Sequence, residues 1–179
     1  MRLQESSFIM QKIVFIGFII LVCVLFGWTC KYDKFINGTD KKLLNISKEL
    51  SGYVWFKKSD ALLNRSTSSG HPQPFLRTRY NAIAANKLDA SGNIIVGSVF
   101  DEGSIIVKEL YTNNTTIGRY AILLKDKNDM YADKNGWVWG YVNSDGSVAE
   151  SAANKGAACI NCHSQTGNID YMLMNKYFP

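Results

Sequence analysis

Apolar residues run without interruption from position 13 to 28 behind Arg2 and Lys12, and no later segment repeats that pattern. A charged start followed by such a run reads as a signal peptide or N-terminal membrane anchor over 1–30, leaving a polar linker at 31–40 and one domain at 41–179. Beyond the linker the pattern turns periodic. Leu43, Leu44, Ile46 and Leu50 form a stripe at helical spacing, with Asp40 as the expected N-cap and Ser51-Gly52 as the stop. Tyr53-Val54-Trp55-Phe56 reads as a short strand, and residues 66–74 as a loop rich in Ser, Gly and Pro. Ala82, Ala84 and Ala85 suggest a helix that ends in the turn residues 89–92.

The remaining hydrophobic segments look like β-strands. Asp101-Glu102-Gly103 precedes a strand over 104–110, residues 113–116 form a turn before a strand over 119–125, and Asn135-Gly136 introduces Trp137-Val138-Trp139-Gly140-Tyr141-Val142. No crossover fits between strands spaced so closely, so the sheet is mainly antiparallel. The expected class is α+β: a mainly antiparallel β-sheet with flanking short helices and a C-terminal helix or loop that carries the distinctive chemistry.

Composition changes this picture little. With 20 Lys and Arg against 15 Asp and Glu the formal charge is +5, but no basic cluster or nucleic-acid motif accompanies it, so no nucleic-acid partner is expected. Solubility, or docking to an acidic redox partner, accounts for so mild an excess. The four cysteines fall into two pairs. Cys23 and Cys30 belong to the leader, and Cys30 is a candidate lipoprotein cysteine, although Trp28 is bulky for such a cleavage site. The alternatives for the leader are an uncleaved helix or ordinary signal cleavage.

Cys159-Ile160-Asn161-Cys162-His163 carries the chemistry. The C-x-x-C-H spacing attaches c-type haem: on a helical turn both thiols reach the porphyrin edge while His163 turns its imidazole to the iron. Zinc is the first alternative, but His71 and the leader cysteines make a poor remainder of a four-ligand site. A redox dithiol is the second, and it normally follows a strand early in a βαβ unit. One covalent haem c per chain is therefore expected, and its assembly implies a periplasmic or other extracytoplasmic location.

Residues 75–179 resemble the cytochrome P460 family, which includes the β-sheet cytochromes c′. The resemblance rests on Phe75-Leu76-Arg77-Thr78-Arg79-Tyr80, on Phe100-Asp101-Glu102-Gly103-Ser104-Ile105-Ile106-Val107-Lys108-Glu109-Leu110, on Leu124-Lys125-Asp126, on Gly136-Trp137, and on Ala158-Cys159-Ile160-Asn161-Cys162-His163 followed by Asp170-Tyr171. It implies a homodimeric antiparallel sheet around a five-coordinate haem, with Cys159 and Cys162 holding the porphyrin and His163 as proximal ligand. It also implies a small nitrogen-containing ligand or substrate, hydroxylamine or nitric oxide, and a partner cytochrome that takes the electrons.

By the same resemblance Lys108 is the lysine that cross-links to the haem, and Phe75, Arg77 and Phe100 form the distal pocket. Alternation puts Ile106, Lys108 and Leu110 on one face of their strand, so a cation is destined for an otherwise apolar face. The competing view is an edge-strand lysine with its amine in solvent. Likewise the two phenylalanines could be ordinary core and Arg77 a surface residue. Trp137, Trp139 and Tyr141 share one face, suited first to core or dimer packing and second to a haem wall. His71, Met130, Met172 and Met174 are conceivable sixth ligands, but the distal position is expected to be open. The alternatives to an oxidoreductase are a gas-binding cytochrome c′ and a simple electron carrier.

Overall fold

The computed structural model describes residues 37–179, so the expected leader, Cys30 and most of the linker lie outside the described residues. Helix α1 spans Gly38–Lys48 and starts earlier than expected, because Asn37 and not Asp40 is the cap, its side chain accepting from the Asp40 amide at 2.9 Å. Asp40 is fully buried and has another use. Its carboxylate accepts from the Ser151 hydroxyl and the Ala152 amide, each at 2.8 Å, and so ties the start of α1 to the 3-10 turn Ala152–Asn154.

Among the described residues seven strands form one sheet: β1 Tyr53–Trp55, β2 Leu63–Asn64, β3 Phe75–Asn81, β4 Ile105–Tyr111, β5 Ile117–Lys125, β6 Trp137–Asn143 and β7 Val148–Glu150. The order is β1-β3-β4-β5-β6-β7, with β2 also paired to β3, and every pairing is antiparallel, as the closely spaced turns require. The helix expected after β3 is the single turn α2, Ala82–Ala85. It stops early because the Asp89 carboxylate gathers the amides of Ser91 and Asn93, and the chain doubles back so that Leu88 bridges Ile94.

Both faces of the sheet are covered, and alternation along each strand sorts residues between them. The back face packs Val107, Ile122, Leu124, Val138 and Val142 against Leu43 and Leu44 of α1. Contact there is close: a Cβ on Gly140 would lie 2.5 Å from Leu43 Cδ1. The front face packs Leu76, Tyr80, Ile106, Leu110, Leu123, Trp137 and Trp139 against Ile169, Tyr171, Met172 and Met174. Each such side chain contributes about 1.5–3 kcal/mol when fully buried, so both cores hold the sheet. After β7 the chain crosses the front face through the single turn α3, Ile160–His163, and ends in α4, Met174–Tyr177.

Candidate functional site

A cavity of about 330 Å³ opens on the front face between the sheet, the 66–74 loop and the C-terminal segment. Its floor is a cross-strand row in register, Thr78–Lys108–Ala121–Tyr141, drawn from β3, β4, β5 and β6, and all four residues line the space. The next row adds Ile106, Leu123 and Trp139. Cys159, Cys162 and His163 close the cavity from the far side.

The C-x-x-C-H segment is held by its own backbone. Cys159 and Ile160 amides both donate to the Gly156 carbonyl, and the His163 amide donates to Cys159 at 3.1 Å, which winds α3 and brings the two thiols to one side. Both cysteines are free thiols, Cys159 half-buried and Cys162 exposed. Burial, then Glu150 and Cys162, pushes the Cys159 thiol up to about 11.

His163 is oriented by its surroundings. Its Nδ1 lies 2.7 Å from the Tyr171 carbonyl oxygen, and its ring stands edge-on to Trp139 with centroids 5.3 Å apart. Tyr171 points its carbonyl there from a left-handed backbone, φ 71°, preceded by Asp170 at φ 46°. Asp170 anchors that unusual turn to the sheet. Its carboxylate accepts from the Trp137 indole at 3.0 Å, the Phe100 amide at 2.9 Å and Lys125 Nζ at 3.1 Å. The constellation is a hydrogen-bonded ring nitrogen with the other left for a metal, the usual arrangement of a ligating histidine.

Burial and the charge of Lys108 lower His163 to about 4, against the opposing pull of the Tyr171 carbonyl, so its imidazole is neutral at neutral pH. His71, on the 66–74 loop, also lines the cavity and is pulled far down by burial and by Lys108. Lys108 itself is lowered to about 8 by burial, with Cys162 acting in the opposite direction. An amine with that value is partly unprotonated near neutrality and is a usable nucleophile.

Of the residues expected at the site, Lys108, Cys159, Cys162 and His163 share the cavity, while Phe75, Arg77 and Phe100 do not line it. Arg77 is corrected to the back face. Its guanidinium pairs with Glu109 at 2.6 Å and lies over Trp55, 4.4 Å from the ring centroid. The reason is parity: Thr78, not Arg77, is opposite Lys108. Phe75 has the parity of Arg77. Phe100 is buried between Tyr80 and Trp137, where it fills core rather than distal space. Trp137 is likewise core, whereas Trp139 and Tyr141 are wall. The sequence does not single out Thr78, Asp170 or the Tyr171 carbonyl as site residues, because their placement depends on strand register and on a turn formed over long range.

Two thiols on one helical turn, a neutral imidazole held by its Nδ1, and a largely apolar space lined by Trp139, Tyr141 and Tyr177 suit a planar porphyrin attached at its edge. Among the described residues no cluster of three or more His, Cys, Asp and Glu side chains forms an alternative metal site. The family model for cytochrome P460 matches residues 55–174, most of the chain. No curated protein matches it.

Proposed function

The chain belongs to the cytochrome P460 family, a family of haem proteins, and from that premise we propose that it is an extracytoplasmic monohaem cytochrome c that binds and oxidises small nitrogen species. The observation that carries this reading is the meeting of Cys159, Cys162, His163 and Lys108 on one cavity. Cys159 and Cys162 would hold the haem, each thiol adding across a vinyl group with its hydrogen passing to carbon, a redox-neutral attachment, and His163 would be the proximal ligand. The Tyr171 carbonyl fixes the tautomer with the proton on Nδ1 and keeps Nε2 for iron.

Haem c, when bound, supplies an iron that takes hydroxylamine or nitric oxide by its nitrogen and passes electrons singly to a partner cytochrome. The protein's part is to position and to exclude. Trp139 stacks edge-on against the proximal imidazole, and Ile106, Ala121 and Leu123 keep the porphyrin face dry. Lys108 is the one lysine among the residues lining the cavity. It is the amine that would bond a porphyrin carbon, losing a proton while the ring carbon loses hydrogen. That exchange is a two-electron oxidation and draws on an external peroxide-type oxidant.

Production in a host competent for cytochrome c maturation tests the reading. Intact mass should show one covalent haem plus the Lys108 link, the ferrous Soret band should be shifted far to the red, and hydroxylamine should be consumed with an electron acceptor present. An ordinary c-type spectrum with nitric oxide binding and no turnover would replace the enzyme with a gas-binding protein. Colourless protein with both tail thiols titratable would end the haem reading altogether.

A further inference from the structure

We propose that His71 is a second, displaceable axial ligand, so that the resting iron is six-coordinate and a small nitrogen ligand binds only when the 66–74 loop lets His71 go. This rests on the haem site just described and departs from the open distal position expected from the sequence. The ring centroids of His71 and His163 are 6.3 Å apart and their planes are inclined at 72°. Two imidazoles on opposite sides of one iron, each at a bond of about 2.0–2.1 Å with the ring centre about 1.1 Å behind the nitrogen, have centroids about 6–6.5 Å apart. The observed separation lies in that range.

The hydrogen bonds agree with it. His163 uses Nδ1 on the Tyr171 carbonyl, and His71 uses Nδ1 on the Tyr141 hydroxyl at 3.2 Å. In both rings the nitrogen left for a metal is Nε2, and in both the other is engaged by an orienting partner, as in ligating histidines generally. The remaining candidates fit less well: Met172 lines the cavity, but it directly follows the Tyr171 carbonyl that holds His163 and so belongs to that ring's side. Met130 is 73 % exposed and does not line the cavity, and Met174 sulfur already accepts from the Thr78 hydroxyl at 3.4 Å.

The loop is built to present the ring and also to withdraw it. Pro72 biases His71 toward extended backbone, and the His71 amide donates to Ser69 Oγ at 3.2 Å. At its base the Arg65 amide donates to the Pro74 carbonyl, and Tyr177 of α4 donates to the Ser68 carbonyl. The loop runs close over the attachment motif: a Cβ on Gly70 would be in ordinary contact with Cys162 Sγ, at 4.0 Å. Yet residues 65–75 are at most partly buried, so swinging the loop outward uncovers little apolar core.

The experiment uses the full chain matured with haem, its attachment first established by intact mass. Protein without haem would fail the site reading of the previous section and is distinguishable from any result on spin state. In the loaded ferric protein, electron paramagnetic resonance should give a low-spin bis-imidazole signal. His71→Ala should convert it to high spin with haem retained, and added imidazole should restore low spin. Nitric oxide binding to wild-type protein should reach a rate that no longer rises with concentration, set by His71 departure, and His71→Ala should abolish that plateau. High-spin loaded wild-type protein, or a low-spin signal unchanged in His71→Ala, overturns the proposal.

Discussion

Lys108 and Glu109 are consecutive residues of β4 whose side chains leave the sheet on opposite faces. Lys108 lines the cavity with His163, and Glu109 is held on the back face by Arg77, Arg79 and the Tyr111 hydroxyl. One strand thus feeds two electrostatic sites that the sheet keeps apart. The arginines of β3 serve the second of them. Arg79 is completely buried, with its guanidinium also donating to the Ser47 and Glu49 carbonyls at the end of α1.

Removing Glu109 therefore separates fold from function. Glu109→Ala leaves Arg79 buried without its carboxylate, and breaking a buried pair by deleting one partner costs about 3–5 kcal/mol. Arg77, which is partly exposed, should cost less: about 1 kcal/mol for Arg77→Ala. Denaturant unfolding measures both, and the spectrum of any haem-loaded variant should be unchanged. A weaker nitric oxide affinity in Arg77→Ala would return Arg77 to the site.

Lys108 gives the complementary result. Lys108→Ala should keep the haem attached by Cys159 and Cys162 while abolishing any red-shifted Soret band. In protein lacking both thiols, and hence covalent haem, the same lysine should leave a pH signature. Its value falls from 10.5 to about 8 on folding, so between those pH values the unfolded chain binds more protons than the folded one. Stability should then rise with pH across that window, and below it the full penalty applies, on the order of 3 kcal/mol less what cavity water screens. Thermal unfolding at pH 7 and pH 10 should show this rise in the parent, and Lys108→Met should flatten it.

Gly156 controls the approach of α3 to the sheet. Its φ is +73°, and a Cβ would lie 2.6 Å from Trp139 Cδ1, too close for a ring locked by an indole bond to Asp133 at 2.9 Å. Gly156→Ala adds backbone strain of about 1 kcal/mol to overpacking of about 1–3 kcal/mol. Because Trp139 abuts His163, the variant should also load less haem, measured as absorbance per mass of purified protein. Unimpaired stability and loading would mean that the turn moves freely of Trp139.

The strands around these sites are legible in the sequence because their signals are local: alternation in 104–110 and 119–125, and Asn135-Gly136 before the aromatic strand. The cysteine motif is legible for the same reason, since five consecutive residues carry it. The distal pocket is not. With both sheet faces covered, Phe75-Leu76-Arg77-Thr78-Arg79-Tyr80 offers bulky residues to each, and only pairing with β4 decides that the inconspicuous Thr78 faces Lys108. Glu109 held a clue, because a buried acid needs cations and Arg77 and Arg79 share one parity. The cap of α1 misleads in another way: Asp40 has the right residue type, but its carboxylate is spent more than a hundred residues away on Ser151 and Ala152.

Asp170 is the residue through which the sheet reaches His163, the proposed proximal ligand. It touches no part of the cavity, yet it holds the turn whose next carbonyl accepts from His163. Asp170→Ala leaves Lys125, only 11 % exposed, without its carboxylate and strips the Trp137 indole and Phe100 amide of their acceptor. Loss of stability of about 3–5 kcal/mol follows. Asp170→Asn retains acceptor oxygen and should lose less. In that milder variant, with haem attached, a slackened Tyr171 carbonyl makes His163 a weaker donor, and the reduction potential should rise relative to wild type. Redox titration checks this: an unmoved potential alongside lowered stability would make Asp170 a support of the fold alone.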